Sequence, residues 1–332
     1  VIDNNIYQII ESQVNNFVGL SFTEEEKALA KEINERILIV GVPSSVDCNL
    51  KCKFCFTDTH NNPNELLPLS KRLKVIDAAK DLGAKTIITG ASGEPFCDKD
   101  FISMMNYGLS KGFDYIVFTN LTAVTEEIAK MLYSNNVGVF GSFHSLNKDV
   151  YEEITQKTGA FDRMMDGCNN LLNAGYSTDN FAICCVVSKK NYDEFYSIVE
   201  YWGQKGIRVY PEYCNITGFG ESHIDELYVP FKDYIKLREG ISTKFPGYGA
   251  LAPLVTLEGH CFTGEYAIIV GIDGTITRCY DPGSKGIIGN INNTSLRDAV
   301  LMKKKDPCFC RGYDYCPGRN MFLSKGFADS IN

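Results

Sequence analysis

The sequence predicts an α/β fold, a parallel sheet of six strands followed by a smaller module. Three observations predict it. A helix-like stretch, a glycine and a short apolar run recur along roughly the first two thirds of the 332 residues. The apolar runs are β-rich and nearly continuous, as strands covered on both faces are. Past about Tyr213 this grammar gives way to an alternating segment centred on Asp273-Gly274.

Taken in order, residues 1–35 read as a helical N-terminal extension, and "RILIVGVP" (Arg36–Pro43) as the first strand. "AAKDLGAKTIIT" (Ala78–Thr89) ends a helix and opens the second strand, and "LSKGFDYIVFTN" (Leu109–Asn120) does the same for the third. "VGVFGSF" (Val137–Phe143) is the fourth. "LLNAGYSTDNFAICCVV" (Leu171–Val187) and "WGQKGIRVYPEY" (Trp202–Tyr213) supply the fifth and sixth. Gly83, Gly112, Gly175 and Gly206 stand where each helix would end in a left-handed cap. Successive βα units imply parallel strands joined by right-handed crossovers. The pattern leaves open whether the sheet is doubly wound or curls into a partial barrel. In "YAIIVGIDGTITRCY" (Tyr266–Tyr280) the Asp-Gly pair between two apolar runs predicts a hairpin. "TSLRDAVLMKKK" predicts a helix capped by Thr294 or Ser295, with Lys303–Lys305 as its solvated C-terminal end. The expected domains are the extension 1–35, the α/β core 36–220 and a small hairpin-plus-helix domain 221–332.

A net charge of -8 argues against a phosphate-neutralising nucleic-acid surface. No apolar run approaches the roughly 18 residues of a membrane span, and the N-terminus lacks a secretion-signal pattern. The expectation is therefore no nucleic-acid partner, no membrane partner and a cytoplasmic location. There most of the 13 cysteines stay reduced, and clustered ones bind metal rather than pair.

"SVDCNLKCKFCFTD" places Cys48, Cys52 and Cys55 directly after the first strand. Functional groups of parallel α/β folds gather at the carboxyl ends of strands. The other exits carry "TGASGEPF" (Thr89–Phe96), Asn120, Ser142 with His144, and Glu212 with Cys214 and "TGFGES" (Thr217–Ser222). Three thiols at this spacing fit one edge of a [4Fe–4S] cube. They also fit structural zinc, if a fourth ligand such as His60 closes the site.

The Cys48-x3-Cys52-x2-Cys55 spacing, with Phe54 before the last cysteine, resembles the signature of the radical SAM superfamily. "SGEP" (Ser92–Pro95) resembles that family's Gly-Gly-Glu-Pro motif, and the element order from Arg36 to Ser222 resembles its partial (β/α)6 barrel. The resemblance implies that Cys48, Cys52 and Cys55 bind a [4Fe–4S] cluster and that S-adenosylmethionine takes the open iron. It implies that Ser92, Gly93 and Glu94 hold the methionine amino group, with Ser92 a departure that still permits close backbone approach. By the same resemblance Phe54 lies beside the adenine, Asn120 and Ser142 contact the ribose or the carboxylate, and Arg163 pairs with the carboxylate. Without the resemblance, Asn120 reads as a strand-end cap and Arg163 as a surface ion-pair residue. The implied chemistry is reductive cleavage of the cofactor to a 5′-deoxyadenosyl radical that takes a hydrogen atom from carbon, with a flavodoxin- or ferredoxin-type electron donor.

Cys261, Cys279, Cys308, Cys310 and Cys316 form a second set, too dense for packing residues. A zinc-ribbon closure is one reading. The spacing of Cys261, Gly274 and Cys279 resembles the auxiliary-cluster modules called SPASM or Twitch. Cys308-x-Cys310 is one residue short of the SPASM pattern, and Asn320 stands where a further cysteine is expected. The resemblance then implies one auxiliary [4Fe–4S] cluster on Cys261, Cys279, Cys316 and either Cys310 or Cys308. Among the remaining cysteines, Cys168 reads as a core residue, and Cys184 and Cys185 face opposite sides of a strand. Cys214 and Cys97 are candidate hydrogen-atom donors by likeness to radical SAM epimerases, and His144 and Glu212 candidate substrate contacts.

The expected reaction is dehydrogenation of a small polyol, sugar or aminocyclitol, with the auxiliary cluster as electron acceptor. The alternatives are a maturase acting on a precursor peptide, a redox-neutral sugar or nucleoside epimerase or dehydratase, and a non-enzymatic zinc scaffold. The 47 residues before Cys48 are too few for the peptide-recognition domain of many maturases, which is therefore expected to be absent.

Overall fold

The computed structural model describes residues 17–57, 65–90, 92–214, 216, 218–248, 266–278 and 286–305. In chain order the helices are α1 (Glu24–Glu32), α2 (Leu69–Asp81), α3 (Phe101–Ser110), α4 (Glu126–Ser134), α5 (Lys148–Thr155) and α6 (Ala160–Ala174). They continue as α7 (Phe195–Gly203), α8 (Ile224–Leu227), α9 (Phe231–Lys244) and α10 (Leu296–Lys305). The strands are β1 (Ile39–Gly41), β2 (Thr86–Thr89), β3 (Asp114–Thr119), β4 (Gly138–Ser142), β5 (Phe181–Val187) and β6 (Arg208–Tyr213), then β7 (Ala267–Val270), β8 (Thr275–Thr277) and β9 (Ile287–Asn290). Short 3-10 turns span Pro95–Cys97 and Gly218–His223. All six predicted barrel strands are present, and Gly83, Gly112, Gly175 and Gly206 have positive φ at the helix ends where they were expected.

The chain divides into two compact units. The first comprises Val1–Val18, Asp47–Asn62 and Phe118–Pro253; the second comprises Gly19–Val46, Pro63–Val117 and Leu254–Asn332.

In the first unit β4, β5 and β6 run parallel, with Ser142 opposite Cys184, Cys184 opposite Tyr210 and Val186 opposite Glu212. Because side chains alternate, Phe140, Ser142, Cys184, Val186, Tyr210 and Glu212 share one face. On that face Phe140 meets the rings of Phe118 at 4.7 Å and Tyr210 at 5.4 Å. The opposite face is sealed by α7, whose Trp202 stands edge-on to Phe143 at 5.2 Å and Phe181 at 6.2 Å. This burial leaves the polar strand ends as the part of the sheet open to chemistry.

In the second unit the strand order is β3-β2-β1-β7-β8-β9, parallel through β7 and antiparallel beyond it. The hairpin predicted around Asp273-Gly274 forms: Ile269 pairs with Thr277, and Gly274 has φ 86°. Its first strand also pairs in parallel with β1, Ile39 opposite Ala267 and Val40 opposite Ile268. Ala267–Val270 is buried along its whole length, which suits a strand with neighbours on both sides. Helix α1 begins at a capping box in which the Thr23 hydroxyl accepts from Glu26 N at 3.1 Å and Glu26 accepts from Thr23 N at 3.0 Å. Among the described residues, no helix is long and apolar enough to cross a membrane.

Candidate functional site

The cysteine loop of the first unit is shaped by backbone hydrogen bonds. The N–H groups of Lys51 and Lys53 donate to the carbonyls of Thr155 (3.0 Å) and Ile154 (2.9 Å). Those carbonyls belong to the last turn of α5, where the helix has no N–H donors of its own to fill them. Cys55 N donates to Cys52 O at 3.0 Å, closing the loop on itself, and Phe219 N donates to Cys55 O at 3.0 Å. Gly218 (φ 57°) seats the segment after β6 on the loop, and a Cβ there would stand 2.4 Å from Phe56 O. Lys53 reaches outward to Glu153 (3.1 Å) and Glu226 (2.5 Å), and Lys190 joins Glu153 at 2.7 Å. Lys53 first, then His223, holds the Glu226 carboxyl down at about 2.

Cys48, Cys52 and Cys55 are all half-buried. Burial, then the charges of Cys48 and Cys55, push the Cys52 thiol well up, so the three sulfurs lie within electrostatic reach of one another. Leu50 N donates to Cys48 Sγ at 3.5 Å, the Asn120 amide reaches the same sulfur at 3.7 Å, and Thr57 Oγ1 lies 3.3 Å from Cys55 Sγ. Donors aimed at sulfur are what stabilise bound thiolates and tune an iron–sulfur potential. Asn120 is also engaged by the loop itself: its Nδ2 donates to Asn49 Oδ1 (2.8 Å), and its Oδ1 accepts from Thr122 N (3.0 Å). Its observed place is thus a brace between the end of β3 and the cysteine loop.

Phe54 packs edge-on against His144, with ring centroids 4.6 Å apart. His144 is buried past the end of β4, and Val186 N donates to its Nδ1 at 3.4 Å. A neutral ring that accepts at Nδ1 carries its proton on Nε2. Burial lowers its pKa to about 3, so it stays neutral across the physiological range. Ser142 is half-buried at the end of β4, whereas Arg163 is exposed on α6. Glu212 is exposed on β6, beside the Cys184 thiol. Cys214 is 2% exposed, and burial pushes its thiol up to about 12, so the S–H is retained. Cys168 is a core residue of α6, as expected, and Cys185 is fully buried.

In the second unit Ser92, Gly93 and Glu94 lead into the Pro95–Cys97 turn. Glu94 is 1% exposed, its Oε1 accepts from Phe96 N at 3.4 Å, and its carbonyl accepts from Cys97 N at 2.9 Å. Gly93 takes φ 64°, the left-handed conformation that this entry into the turn uses. Cys97 is exposed at the end of the turn. Cys261, Cys279, Cys308, Cys310 and Cys316 lie outside the described residues, as does His60.

Residues 42–202 match the family model described as Radical SAM superfamily. These residues are a radical SAM domain. Among curated proteins, the chain is 28% identical over 177 residues to the AdoMet-dependent heme synthase of Methanosarcina barkeri, covering 52% of this chain and 50% of that protein. It is 24% identical over 202 residues to a probable GTP 3′,8-cyclase of Saccharolobus solfataricus, covering 58% and 59%. The alignments thus span little more than half of those relatives. Among solved structures, Streptococcus suis SuiB bound to precursor peptide SuiA superposes with TM-score 0.66 at 17% identity, over 89% of this chain and 73% of that one. AdoMet-bound anSMEcpe superposes with TM-score 0.60 at 16% identity, over 80% of each. These likenesses concern the fold, an α/β architecture with a mostly parallel sheet.

Members of the radical SAM family bind S-adenosylmethionine and a [4Fe–4S] cluster. The cysteine loop fits the cluster by its chemistry: three thiols on a short loop, with N–H donors directed at the Cys48 sulfur. Among the described residues, no three His, Cys, Asp or Glu side chains meet at the spacing of a single metal ion. A cube sets each cysteine on a different iron and does not require that spacing.

Sequence reasoning missed three features of the site. Asn49 and Thr122, which complete the Asn120 brace, carry no signal of their own. The Lys53–Glu153–Glu226 network joins residues far apart in the chain. Arg72 had a faint signal, a charge on the apolar stripe that α2 forms with Val75, Ile76 and Ala79.

Proposed function

We propose that this radical SAM enzyme cleaves S-adenosylmethionine and removes a hydrogen atom from an unactivated carbon of its substrate, oxidising a small polyol, sugar or aminocyclitol by two electrons. The cysteine loop carries the reading: three half-buried thiols on one short loop with donors on Cys48, held by backbone bonds to α5 and to Phe219. Cys48, Cys52 and Cys55 would hold the cluster, and Ser92, Gly93 and Glu94 the methionine amino group. When bound, cluster and cofactor supply a 5′-deoxyadenosyl radical. The protein's own part is to place the substrate carbon and exclude water. Phe54 offers a ring face beside a neutral His144, a setting suited to an adenine. Ser142 contributes a hydroxyl from β4 and Arg163 a cation from α6. Glu212 offers a carboxyl for a substrate hydroxyl or amine, and Cys214 and Cys97 remain the candidate hydrogen donors if the reaction is redox-neutral. An auxiliary [4Fe–4S] cluster on Cys261, Cys279, Cys316 and Cys310 or Cys308, within a domain spanning 221–332, would accept the second electron. The hydrogen atom would carry away the first, and a flavodoxin- or ferredoxin-type protein in the cytoplasm would supply the separate electron that cleaves the cofactor.

A second reading, a peptide substrate, is favoured by the structural likeness to SuiB and to anSMEcpe, the latter also solved with a Cp18Cys peptide. Product stoichiometry tests the choice. With anaerobically reconstituted enzyme and candidate deuterated substrates, oxidation consumes one cofactor per product and leaves substrate deuterium in 5′-deoxyadenosine. Solvent deuterium appearing in the product marks epimerisation instead. Failure to form 5′-deoxyadenosine from cluster-loaded enzyme, with reductant and substrate present, would overturn the proposal.

A further inference from the structure

We infer that Arg72 is a positioning residue for the Glu94 turn and sets the enzyme's affinity for S-adenosylmethionine from behind it; this rests on the reading of Ser92–Glu94 as the amino-group site. Arg72 comes from α2 and is 1% exposed. Its Nη1 donates to Asp98 Oδ2 at 2.6 Å and lies 3.5 Å from the carbonyl of Ser44, in the segment that leaves β1 toward Cys48. Its Nη2 stands 3.6 Å from Asp100 Oδ2. Asp98 is the residue that closes the turn: its N–H donates to Pro95 O at 3.1 Å, and its Oδ1 accepts from Asp100 N at 3.0 Å. The turn so closed begins at Glu94, through Cys97 N to Glu94 O at 2.9 Å. One guanidinium thus ties the exit of β1 to the loop beyond β2.

Its burial argues that the tie serves position. Removing a guanidinium and a carboxylate from water is expensive, and well-packed apolar residues often serve stability as well or better. Here Arg72 also leaves its Nε without a hydrogen-bond partner among the described residues, a further cost. A planar guanidinium that meets Asp98 through Nη1 and faces Asp100 through Nη2 holds direction as well as distance, which an apolar contact does not. The Glu94 carboxylate has little freedom of its own, being almost wholly buried, so its aim follows the turn that Asp98 closes.

The test is anaerobic titration of the reconstituted full chain with S-adenosylmethionine, comparing Arg72→Met, Arg72→Lys, Asp98→Asn and Glu94→Gln. Each is paired with iron content, thermal midpoint and the rate of uncoupled cofactor cleavage at saturation. Arg72→Met and Asp98→Asn are expected to weaken cofactor binding about tenfold or more at full iron content, the scale on which misplaced binding groups act. Arg72→Lys should recover part of the loss, and the saturated rate should move far less than the affinity. A lowered thermal midpoint with affinity unmoved in Asp98→Asn or Arg72→Lys would overturn the inference, even if Arg72→Met fails to fold. Unchanged affinity in Glu94→Gln would instead sink the underlying assignment of the turn, a separate and recognisable outcome.

Discussion

The cysteine loop and the Glu94 turn are both short irregular segments at strand exits, yet they are held by opposite means. The cysteine loop hangs on backbone bonds to Ile154, Thr155 and Phe219, with Lys53, Glu153 and Glu226 as a part-exposed fringe. The Glu94 turn closes on its own backbone bonds but is tied to the rest of its unit by a buried ion pair, Arg72 with Asp98, whose side chains are 1% and 7% exposed. Backbone bonds survive most side-chain changes, whereas a buried pair fails when either partner is lost. The first segment should therefore tolerate substitution everywhere except at its thiols and at the close approach of Gly218, and the second should be brittle at positions outside the motif itself.

The largest effect expected is at the thiols. Cys52→Ala should abolish 5′-deoxyadenosine formation and cut iron–sulfur absorbance to the share of the auxiliary cluster while leaving the folded chain in place, and a full complement of clustered iron in that variant would break the assignment. Next comes Arg72→Met. Leaving Asp98 buried and unpaired should cost about 3–5 kcal/mol, read as a lowered denaturant midpoint. A cost near zero would erase the contrast between the two segments. Gly218→Ala should cost about 1–3 kcal/mol, because positive φ and the approach to Phe56 O are both refused to a Cβ. Its sharper readout is faster loss of iron on dilution.

A pH series sharpens the comparison further. His144 has its pKa lowered from 6.5 to about 3, so below pH 6.5 the unfolded chain takes up a proton that the folded chain refuses. Stability from this group is complete above pH 6.5 and falls as the medium is acidified, by roughly 1.4 kcal/mol per pH unit until about pH 3. His144→Gln should flatten that slope between pH 6.5 and 5 in chemical denaturation. The smallest effect is Lys53→Met, expected to cost less than about 1 kcal/mol, since its partners Glu153 and Glu226 are part-exposed and screened. A loss as large as that of Arg72→Met would show that the fringe holds the loop after all.

Much of this arrangement was legible in the sequence, for physical reasons. Doubly covered strands write themselves as runs such as Phe181–Val187, and helix ends announce themselves by glycine, as at Gly175. The cysteine triplet is local, so its spacing is visible along the chain. Parallel pairing of β7 with β1 was not legible, because an apolar run such as Ala267–Val270 declares that it will be covered without naming its neighbour. Arg72 was hidden for a related reason: charges in helices are usually solvated, and only the partner at Asp98, 26 residues along the chain, reveals otherwise. Asn120 was visible as a polar strand end, but its attachment to Asn49 is a through-space fact.

The bond from Phe219 N to Cys55 O has a consequence for altering this enzyme. The stretch that follows β6 is anchored at its start to the main chain of a thiol-bearing loop, so its first residues are not free to be redesigned. Grafts meant to change what the protein acts on have room only downstream of Phe219, and a graft that replaces Gly218 or displaces that amide would be expected to cost the enzyme its iron before it changed its choice of substrate.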